Sequence, residues 1–329
     1  MNESEAFAEF DEELKLDPAE RKAAQRLHNE MTQLLIRAGV IVSAFLQGSF
    51  ARKTMLAPLR DIDKIVIMAG RLADQPDLQA RPELAMDRIE AVLARAYPHA
   101  RFSRSRHALR VDFGADTFSF DIVPAFETLT IDDDVLIADI KDNRWERSNT
   151  RELIRTVADR NQACDGQFIH QVRMGKQHVA HRLDSKLPGL HVESIAHEAI
   201  LEPLDHPQAC RRIFETGARL LIIGYTDPTG RDLISRRLDP EVKALAQAEF
   251  AEAARLAREA QRLAAAGDDA AAIAIWHELF GDPFPNPPAQ TARDALASSF
   301  AGGSVTSTGR VTTSRAGRQP TPPTRSWRS

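Results

Sequence analysis

Two aspartates one residue apart, Asp61 and Asp63, stand at the front of an apolar run that ends at Met68. Residues i and i+2 of a β-strand point to the same face, so these carboxylates lie side by side while Ile62 points into a core. Neighbouring carboxylates repel each other unless a cation lies between them, and hard oxygen ligands select Mg²⁺ or Mn²⁺. The pattern predicts a strand with a metal-binding end, although a lone Asp-x-Asp is more often a solvated strand end.

A glycine and a serine, Gly48 and Ser49, precede this pair. Glycine lets a phosphate approach the backbone, and a serine that opens a helix leaves N–H donors free for an anion. The segment differs from a P-loop, because Arg52 stands where that motif has its second glycine. Gly48 and Ser49 therefore predict a phosphate-binding turn of another kind.

A third aspartate, Asp121, lies where polar and apolar residues alternate from residue 117 to 123. The alternation predicts a half-buried strand with Asp121 and Ser119 on one face. If this strand neighbours the first, Asp121 can bind an ion and accept a proton beside the aspartate pair. Asp112 is a rival for this third position, and capping a turn before Pro124 is the structural alternative for Asp121.

The segments around these residues resemble the motifs of a known family, the cGAS/DncV-like nucleotidyltransferases, which are bacterial oligonucleotide cyclases of CBASS anti-phage defence. The catalytic segments that carry the resemblance are Gly48–Thr54, Asp61–Lys64 and Phe120–Ala125. Further matches follow toward the C-terminus: Lys176, Leu187–Glu193, Asp227–Pro228, Trp276, Leu279–Gly281 and Phe284–Pro285. Lys176 matches the family's triphosphate-contacting lysine.

Two positions depart from the family pattern. Gly189 stands where many relatives have a serine that touches the triphosphate, so a contact there would come from the backbone. Asp232 stands where relatives tend to have an asparagine. Neither departure concerns the three aspartates.

The resemblance implies an α+β fold, with a polymerase-β-like nucleotidyltransferase core, a short mixed sheet with helices, and a helical C-terminal lobe. It implies synthesis of a cyclic di- or trinucleotide from nucleoside triphosphates with two Mg²⁺ ions, for which Mn²⁺ can substitute. The implied catalytic and metal-binding residues are Asp61, Asp63 and Asp121. The implied nucleotide-binding residues are Gly48, Ser49, Arg52, Lys176 and Gly189.

The resemblance also implies partners: a CBASS effector reached through the product, a regulatory partner, and an enzyme that conjugates the C-terminal tail to a target. One alternative is a non-cyclising nucleotidyltransferase that acts on RNA or protein. Another is a nucleotide-binding sensor without catalysis, which usually loses a carboxylate. An RNA enzyme favours a basic groove, but residues 300–329 hold five arginines of a chain with net charge −4, which leaves −9 on the rest. We expect no stable nucleic-acid partner.

The composition, 43% hydrophobic and 27% charged residues, is that of a globular protein. No apolar run approaches the roughly 18 residues of a membrane span, and the N-terminus is acidic, unlike a signal peptide. We expect a cytoplasmic protein without a membrane span. Cys164 and Cys210 lack a metal or redox spacing, so we expect reduced thiols.

Hydrophobic periodicity and composition predict a strand-rich lobe over 1–148, a helical lobe over 149–285, and a disordered tail rich in Pro, Ser, Thr and Arg over 286–329. The family resemblance implies that the first lobe is catalytic and that the second closes a nucleotide cleft. The predicted strands are 41–46, 61–68, 100–104, 108–113 and 117–123. The predicted helices are 18–38, 81–97, 149–162, 166–181, 191–202, 206–223, 239–265 and 268–280.

Overall fold

The structure is a computed structural model that describes residues 1–114, 118–128 and 134–286, and the backbone of two short strands beyond them. The helices are α1 (Glu3–Glu13), α2 (Pro18–Arg37), α3 (Gly48–Ala51), α4 (Pro76–Ala80), α5 (Glu83–Ala96), α6 (Thr150–Ala163), α7 (Phe168–Arg182), α8 (Gly189–Ala199), α9 (His206–Ile223), α10 (Pro240–Ala265) and α11 (Asp269–Phe280). The strands are β1 (Ile41–Leu46), β2 (Asp61–Met68), β3 (Arg101–Arg104), β4 (Leu109–Asp112), β5 (Ser119–Glu127), β6 (Val135–Asp139), β7 (Arg144–Ser148), β8 (Ser304–Val305) and β9 (Val311–Thr312). Short 3₁₀ turns lie at Leu72–Asp74 and Ile234–Arg237.

Strands β1 to β7 form one mixed sheet in the order β1-β2-β5-β4-β3, and β6 joins β5 to β7. Only the pair β2 and β5 is parallel among these described strands; the other pairs are antiparallel. The fold is α+β, as the motif resemblance predicted. The parallel pairing brings the first residues of β2 and β5 to the same end of the sheet.

The back of the sheet is covered by helices α2 and α5. Helix α2 begins where the Asp17 side chain accepts a hydrogen bond from the backbone N–H of Ala19, with proline at the first helical position. Its apolar stripe packs with that of α5 on the even-numbered side chains of β2. The residues in this contact include Met31, Leu35, Ile62, Val66, Ile89 and Leu93. Because even-numbered side chains of β2 lie in this core, the odd-numbered side chains of β2 point to the opposite face of the sheet.

A second core lies among α6 to α11, where α9 and α10 pack along each other. Helix α1 belongs to this core by packing, since Phe7 and Phe10 lie within 4.7 to 6.4 Å of the rings of Trp276, Phe280 and Phe284 or of each other. The sequence analysis placed this segment in the first lobe, whereas in the structure α1 packs against the helices of the second half. Buried aromatic rings, rather than chain order, decide which core a terminal helix joins.

The predicted strands and helices are present with ends shifted by a few residues, but α1, α4, β6 and β7 were missed. Strand β5 also continues past its predicted end at residue 123. Pro124 is tolerated there because it lies where the neighbour of β5 on one side changes from β4 to β6. The tail was predicted to be disordered, but four of its residues form the two short strands β8 and β9. The remainder of the tail beyond residue 286 lies outside the described residues.

No helix in the described part of the chain is long and apolar enough to cross a membrane. Cys164 and Cys210 are both free and buried.

Candidate active site

Three aspartates lie together at one end of the parallel strand pair. In the register of β2 and β5, Asp63 is directly opposite Asp121, and Asp61 is opposite Ser119. Because side chains alternate along a strand, Asp61, Asp63 and Asp121 all point to the face away from α2 and α5. The structure therefore brings together the three aspartates that the sequence analysis proposed, although Asp61 and Asp121 are 60 positions apart in the chain.

The ionisation of Asp63 and of Asp121 depends on burial and on the neighbouring charges. The pKa of Asp63 is raised to about 6, first by burial and then by the nearby charges of Asp121 and Asp61, while Arg52 opposes the shift. Burial also raises the pKa of Asp121, against the attraction of Arg110. The site is thus a partly desolvated cluster of negative charge, and a bound cation would reduce the repulsion among its carboxylates.

An arginine that sequence reasoning missed lies inside this cluster. Arg110 of β4 is opposite Asp121 in the sheet register, and its guanidinium donates a hydrogen bond to Oδ1 of Asp61. Its Nη1 lies 3.7 Å from Oδ1 of Asp121. The Ser119 hydroxyl also donates to Oδ1 of Asp61, at 2.7 Å. The alternation in the predicted strand 108–113 could have placed Arg110 on the polar face. It could not have identified the strand that pairs with this one.

The rival aspartate, Asp112, lies one strand further from the pair. It is opposite Ser119, and its Oδ1 accepts a hydrogen bond from the Gly114 backbone N–H at 2.9 Å. Its other oxygen lies 3.7 Å from the Arg101 guanidinium. Asp121, rather than Asp112, is the neighbour of Asp63 in the sheet.

The described residues do not form a closed group of three or more Asp, Glu, His or Cys side chains around a common point. The donors still fit a divalent cation, because oxygen ligands on neighbouring strands are of the type that Mg²⁺ and Mn²⁺ prefer. In the structure, the Arg110 guanidinium lies between Asp61 and Asp121 and supplies a positive charge to this cluster.

The predicted phosphate turn packs directly on the aspartate strand. Gly48 has φ +66°, and a Cβ at this position would lie 1.8 Å from Oδ2 of Asp63. The backbone N–H of Gln47 donates to the Asp63 carbonyl at 2.9 Å, and that of Thr54 donates to the Ser49 carbonyl, also at 2.9 Å. Gly48 and Ser49 thus begin the short helix α3 within contact distance of the acids.

Two predicted nucleotide contacts, Arg52 and Lys176, meet around a buried glutamate. Arg52 Nε donates to Oε2 of Glu193 at 2.6 Å, and Lys176 Nζ donates to Oε1 at 2.7 Å. The Thr54 hydroxyl donates to the same Oε1 at 2.8 Å. These bonds tie the segment after α3 to α7 and α8.

The charges in this cluster are almost removed from water. Burial would raise the pKa of Glu193, but Lys176 and Arg52 bring it down to about 2, so Glu193 is an anion. Burial lowers the pKa of Lys176, against the attraction of Glu193. Gly189 lies beside this lysine, since a Cβ there would be 3.2 Å from Lys176 Cε. Arg52 and Lys176 therefore lie in one buried cluster, and the exposed Gly189 lies next to it.

A second connection joins this turn to the N-terminal helix. Asp11 of α1 lies 2.7 Å from Nδ1 of His170 and accepts a hydrogen bond from Arg173 Nη2 at 3.3 Å. The Nη1 of Arg173 donates to the Lys53 carbonyl at 3.3 Å. Helix α1 thereby reaches the segment that follows α3.

The Asp-Pro motif of the second half forms a compact turn. The Oδ1 of Asp227 accepts hydrogen bonds from the backbone N–H groups of Arg231 at 3.1 Å and Asp232 at 3.2 Å. Asn149 donates to Thr229 in this turn at 2.6 Å, and the Thr150 hydroxyl donates to Oε1 of Gln47 at 2.6 Å. The start of α6 thus connects the turn to the residue before Gly48.

Comparisons with known proteins agree with this geometry. Residues 1–161 match the model of the Second Messenger Oligonucleotide or Dinucleotide Synthetase domain. A probable cyclic nucleotide synthase of Bacillus cereus (strain VD146) is 24% identical over 270 residues, 73% of this chain and 81% of that protein.

Two solved structures share the fold. The E. coli MS115-1 CdnC:HORMA-deltaN complex matches with a TM-score of 0.66 and 17% identity, over 86% of this chain and 98% of that one. The Vibrio cholerae DncV cyclic AMP-GMP synthase in complex with the linear intermediate 5' pppA(3',5')pG matches with a TM-score of 0.58 and 16% identity, over 74% of this chain and 70% of that one. With its synthetase domain, its fold and its paired strands of aspartates, the chain is a nucleotidyltransferase that belongs to the cGAS/DncV-like family.

Proposed function

We propose that this nucleotidyltransferase makes a cyclic di- or trinucleotide second messenger from nucleoside triphosphates, and that it does so in the cytoplasm as part of CBASS anti-phage defence. The observation that carries the proposal is the parallel register of β2 and β5, which sets Asp63 against Asp121. The close approach of Gly48 to Asp63 supports it, because a phosphate chain held at this turn would lie next to the acids.

The names of the relatives support cyclisation. The Bacillus cereus relative is called a probable cyclic nucleotide synthase, and the Vibrio cholerae protein is a cyclic AMP-GMP synthase in complex with a linear intermediate. In the proposed reaction, a ribose 2'- or 3'-hydroxyl oxygen forms a bond to the α-phosphorus of a triphosphate. The bond to the β-phosphate oxygen breaks, pyrophosphate leaves, and repetition of the step closes the ring.

Asp61, Asp63 and Asp121 would hold two divalent cations, Mg²⁺ or Mn²⁺, which when bound neutralise the phosphates and acidify the attacking hydroxyl. Asp121 would accept the hydroxyl proton, and its raised pKa makes it a better proton acceptor than an ordinary aspartate. Ser119 would orient Asp61 through its Oδ1.

The β- and γ-phosphates would lie against the backbone of Gly48 and Ser49, with Arg52, Lys176 and Gly189 as the further predicted contacts. Since Arg52 and Lys176 both bind Glu193, part of their role would be to hold the turn in place. Catalysis would then rest on orientation of the substrates and stabilisation of charge.

Partners are proposed on the same basis. A CBASS effector would respond to the released product. A regulatory protein is supported by the E. coli CdnC structure, which is a complex with HORMA-deltaN. An enzyme that conjugates the C-terminal tail would act on residues outside the described part of the chain.

The decisive experiment incubates the full chain with all four ribonucleoside triphosphates and Mg²⁺ or Mn²⁺, followed by phosphatase and mass spectrometry. We expect phosphatase-resistant products without terminal phosphates. The Asp61→Asn, Asp63→Asn double variant, checked for its fold by circular dichroism, should make none; activity above a few per cent of the native level would refute the site. Linear products, or label transferred from α-labelled triphosphates to RNA or protein, would instead identify the non-cyclising alternative.

A further inference from the structure

The acidic site contains two arginines whose environments differ. Arg52 is 7% exposed and binds Glu193, which is 1% exposed. Arg110 is 42% exposed, and its partner Asp61 is 50% exposed. A buried, multiply bonded pair is a fixed part of the structure, whereas an ion pair open to water exchanges partners readily. Arg110 is therefore the exchangeable cation of the site.

The position of Arg110 is that of a competitor for a metal ion. Its guanidinium donates to Oδ1 of Asp61 and lies 3.7 Å from Oδ1 of Asp121, so it bridges two aspartates on different strands. A divalent cation that binds the same two oxygens would meet a positive charge at close range. The guanidinium and the cation exclude each other on steric and electrostatic grounds.

We propose that Arg110 is the built-in counter-cation of the acidic site: it holds Asp61 and Asp121 in the free protein, and a divalent cation must displace it to bind. The inference rests on the proposed metal-binding role of these aspartates. Its consequence is that the free protein binds Mg²⁺ or Mn²⁺ weakly. The displaced guanidinium becomes available to an anion, and phosphate oxygens match its donors, so substrate binding and metal binding support each other.

The neighbouring strand supplies a matched control. Arg101 of β3 carries the same charge and lies 3.7 Å from Asp112, an aspartate in the same sheet. Replacing it changes the net charge by the same amount without touching Asp61 or Asp121. A general effect of charge on cation binding would thus appear equally in both variants.

The test measures Mn²⁺ binding to the full-length protein without nucleotide, by the loss of the free-ion signal in electron paramagnetic resonance. We expect Arg110→Gln to bind Mn²⁺ at least roughly tenfold more tightly than the native protein, since a unit charge within a few ångströms is removed. Arg101→Gln should stay within about twofold of the native value, the residual effect of a more distant charge. Adding Asp61→Asn and Asp63→Asn to Arg110→Gln should abolish the tight binding.

Equal or weaker Mn²⁺ binding by Arg110→Gln, relative to the native protein, would overturn the inference. If the acids are essential for cyclic products but Arg110→Gln leaves Mn²⁺ affinity unchanged, only the role of Arg110 is wrong. If no variant binds Mn²⁺ and the native protein makes no product, the proposed function fails as well. Should Arg110→Gln fold poorly, Arg110→Lys provides the second readout: it keeps the charge and is expected to bind Mn²⁺ like the native protein, and tighter binding by it would contradict charge competition.

Discussion

Gly48 lies against the carboxylate of Asp63 so closely that a Cβ at residue 48 would be 1.8 Å from Oδ2 of the aspartate. The glycine also has φ +66°, a conformation that L side chains rarely adopt. The predicted phosphate-binding turn and the aspartate strand are therefore in direct contact, and the absence of a side chain at residue 48 leaves room for the Asp63 carboxylate.

Gly48→Ala should displace the Asp63 carboxylate and lower the rate of product formation by roughly a hundredfold or more, the effect of a misplacement of about 1 Å. The backbone strain of alanine at this φ costs about 1–2 kcal/mol of folding free energy. Steady-state rates and urea unfolding measure the two effects separately.

Gly39→Ala is the matched control, because Gly39 has φ +69° and a Cβ there would meet nothing within 4 Å. It should lose stability through the same backbone strain while its activity stays at the native level. Full activity in Gly48→Ala would contradict the coupling between this turn and Asp63.

Glu193→Gln should destabilise the protein by about 3–5 kcal/mol, because it leaves the charges of Arg52 and Lys176 buried without a counter-ion. Chemical denaturation measures the change. Glu215 serves as the control, since it also binds two arginines, Arg211 and Arg258, but at the surface. Glu215→Gln should change the free energy of unfolding by no more than about 1 kcal/mol, and equal effects of the two substitutions would argue against a buried charge cluster.

His178 makes stability depend on pH. Its ring is fully buried, its Nδ1 lies 3.0 Å from the Leu279 carbonyl, and its Nε2 is 3.7 Å from Glu249. Burial lowers the pKa of His178 from 6.5 to about 3. Between these values the unfolded chain binds a proton that the folded protein does not, so the free energy of unfolding falls as pH is lowered from 6.5.

One such histidine contributes a slope of about 1.4 kcal/mol per pH unit. His178→Gln, which can keep the bond to Leu279, should reduce the slope between pH 6 and 4 by about that amount. Urea titrations across this range measure it. An unchanged slope would show that His178 can take up a proton in the folded state.

Asp11→Asn should loosen the N-terminal helix from α7. His170 and Arg173 hold the pKa of Asp11 well below its usual range, although burial acts in the opposite direction. Loss of the charge should cost roughly 1–3 kcal/mol. Hydrogen exchange should increase in α1 and at residues 52–54, because Arg173 also donates to the Lys53 carbonyl.

Glu13→Gln removes an equal charge from the exposed side of α1 and should leave exchange unchanged. Faster exchange confined to α1 in Asp11→Asn would disprove the connection to the turn.

Local pattern predicted most of the elements. The alternation around Asp61 and Asp121 gave the two strands, and helical spacing gave the helices of the second half, because each pattern spans only a few consecutive residues. Strands β6 and β7 were missed, since their residues 135–148 carry charges on both sides of a short turn and no clear alternation. Helix α1 was missed because it has few apolar residues, and these pack against aromatic rings that lie far away in the sequence.

The sequence by itself determined which residues are proposed to carry the chemistry: three aspartates near the starts of two strands, and a glycine and a serine at the start of a short helix. Only the tertiary structure decided how they are arranged. Arg110 enters the acidic cluster because β4 pairs with β5 in one register, and Arg52 and Lys176 are held by Glu193 because α3, α7 and α8 converge. The pairing register of β4 with β5 and the contact between Arg52 and Glu193, which are 141 positions apart, are set by the packing of the whole core. No local pattern of residues contains that information.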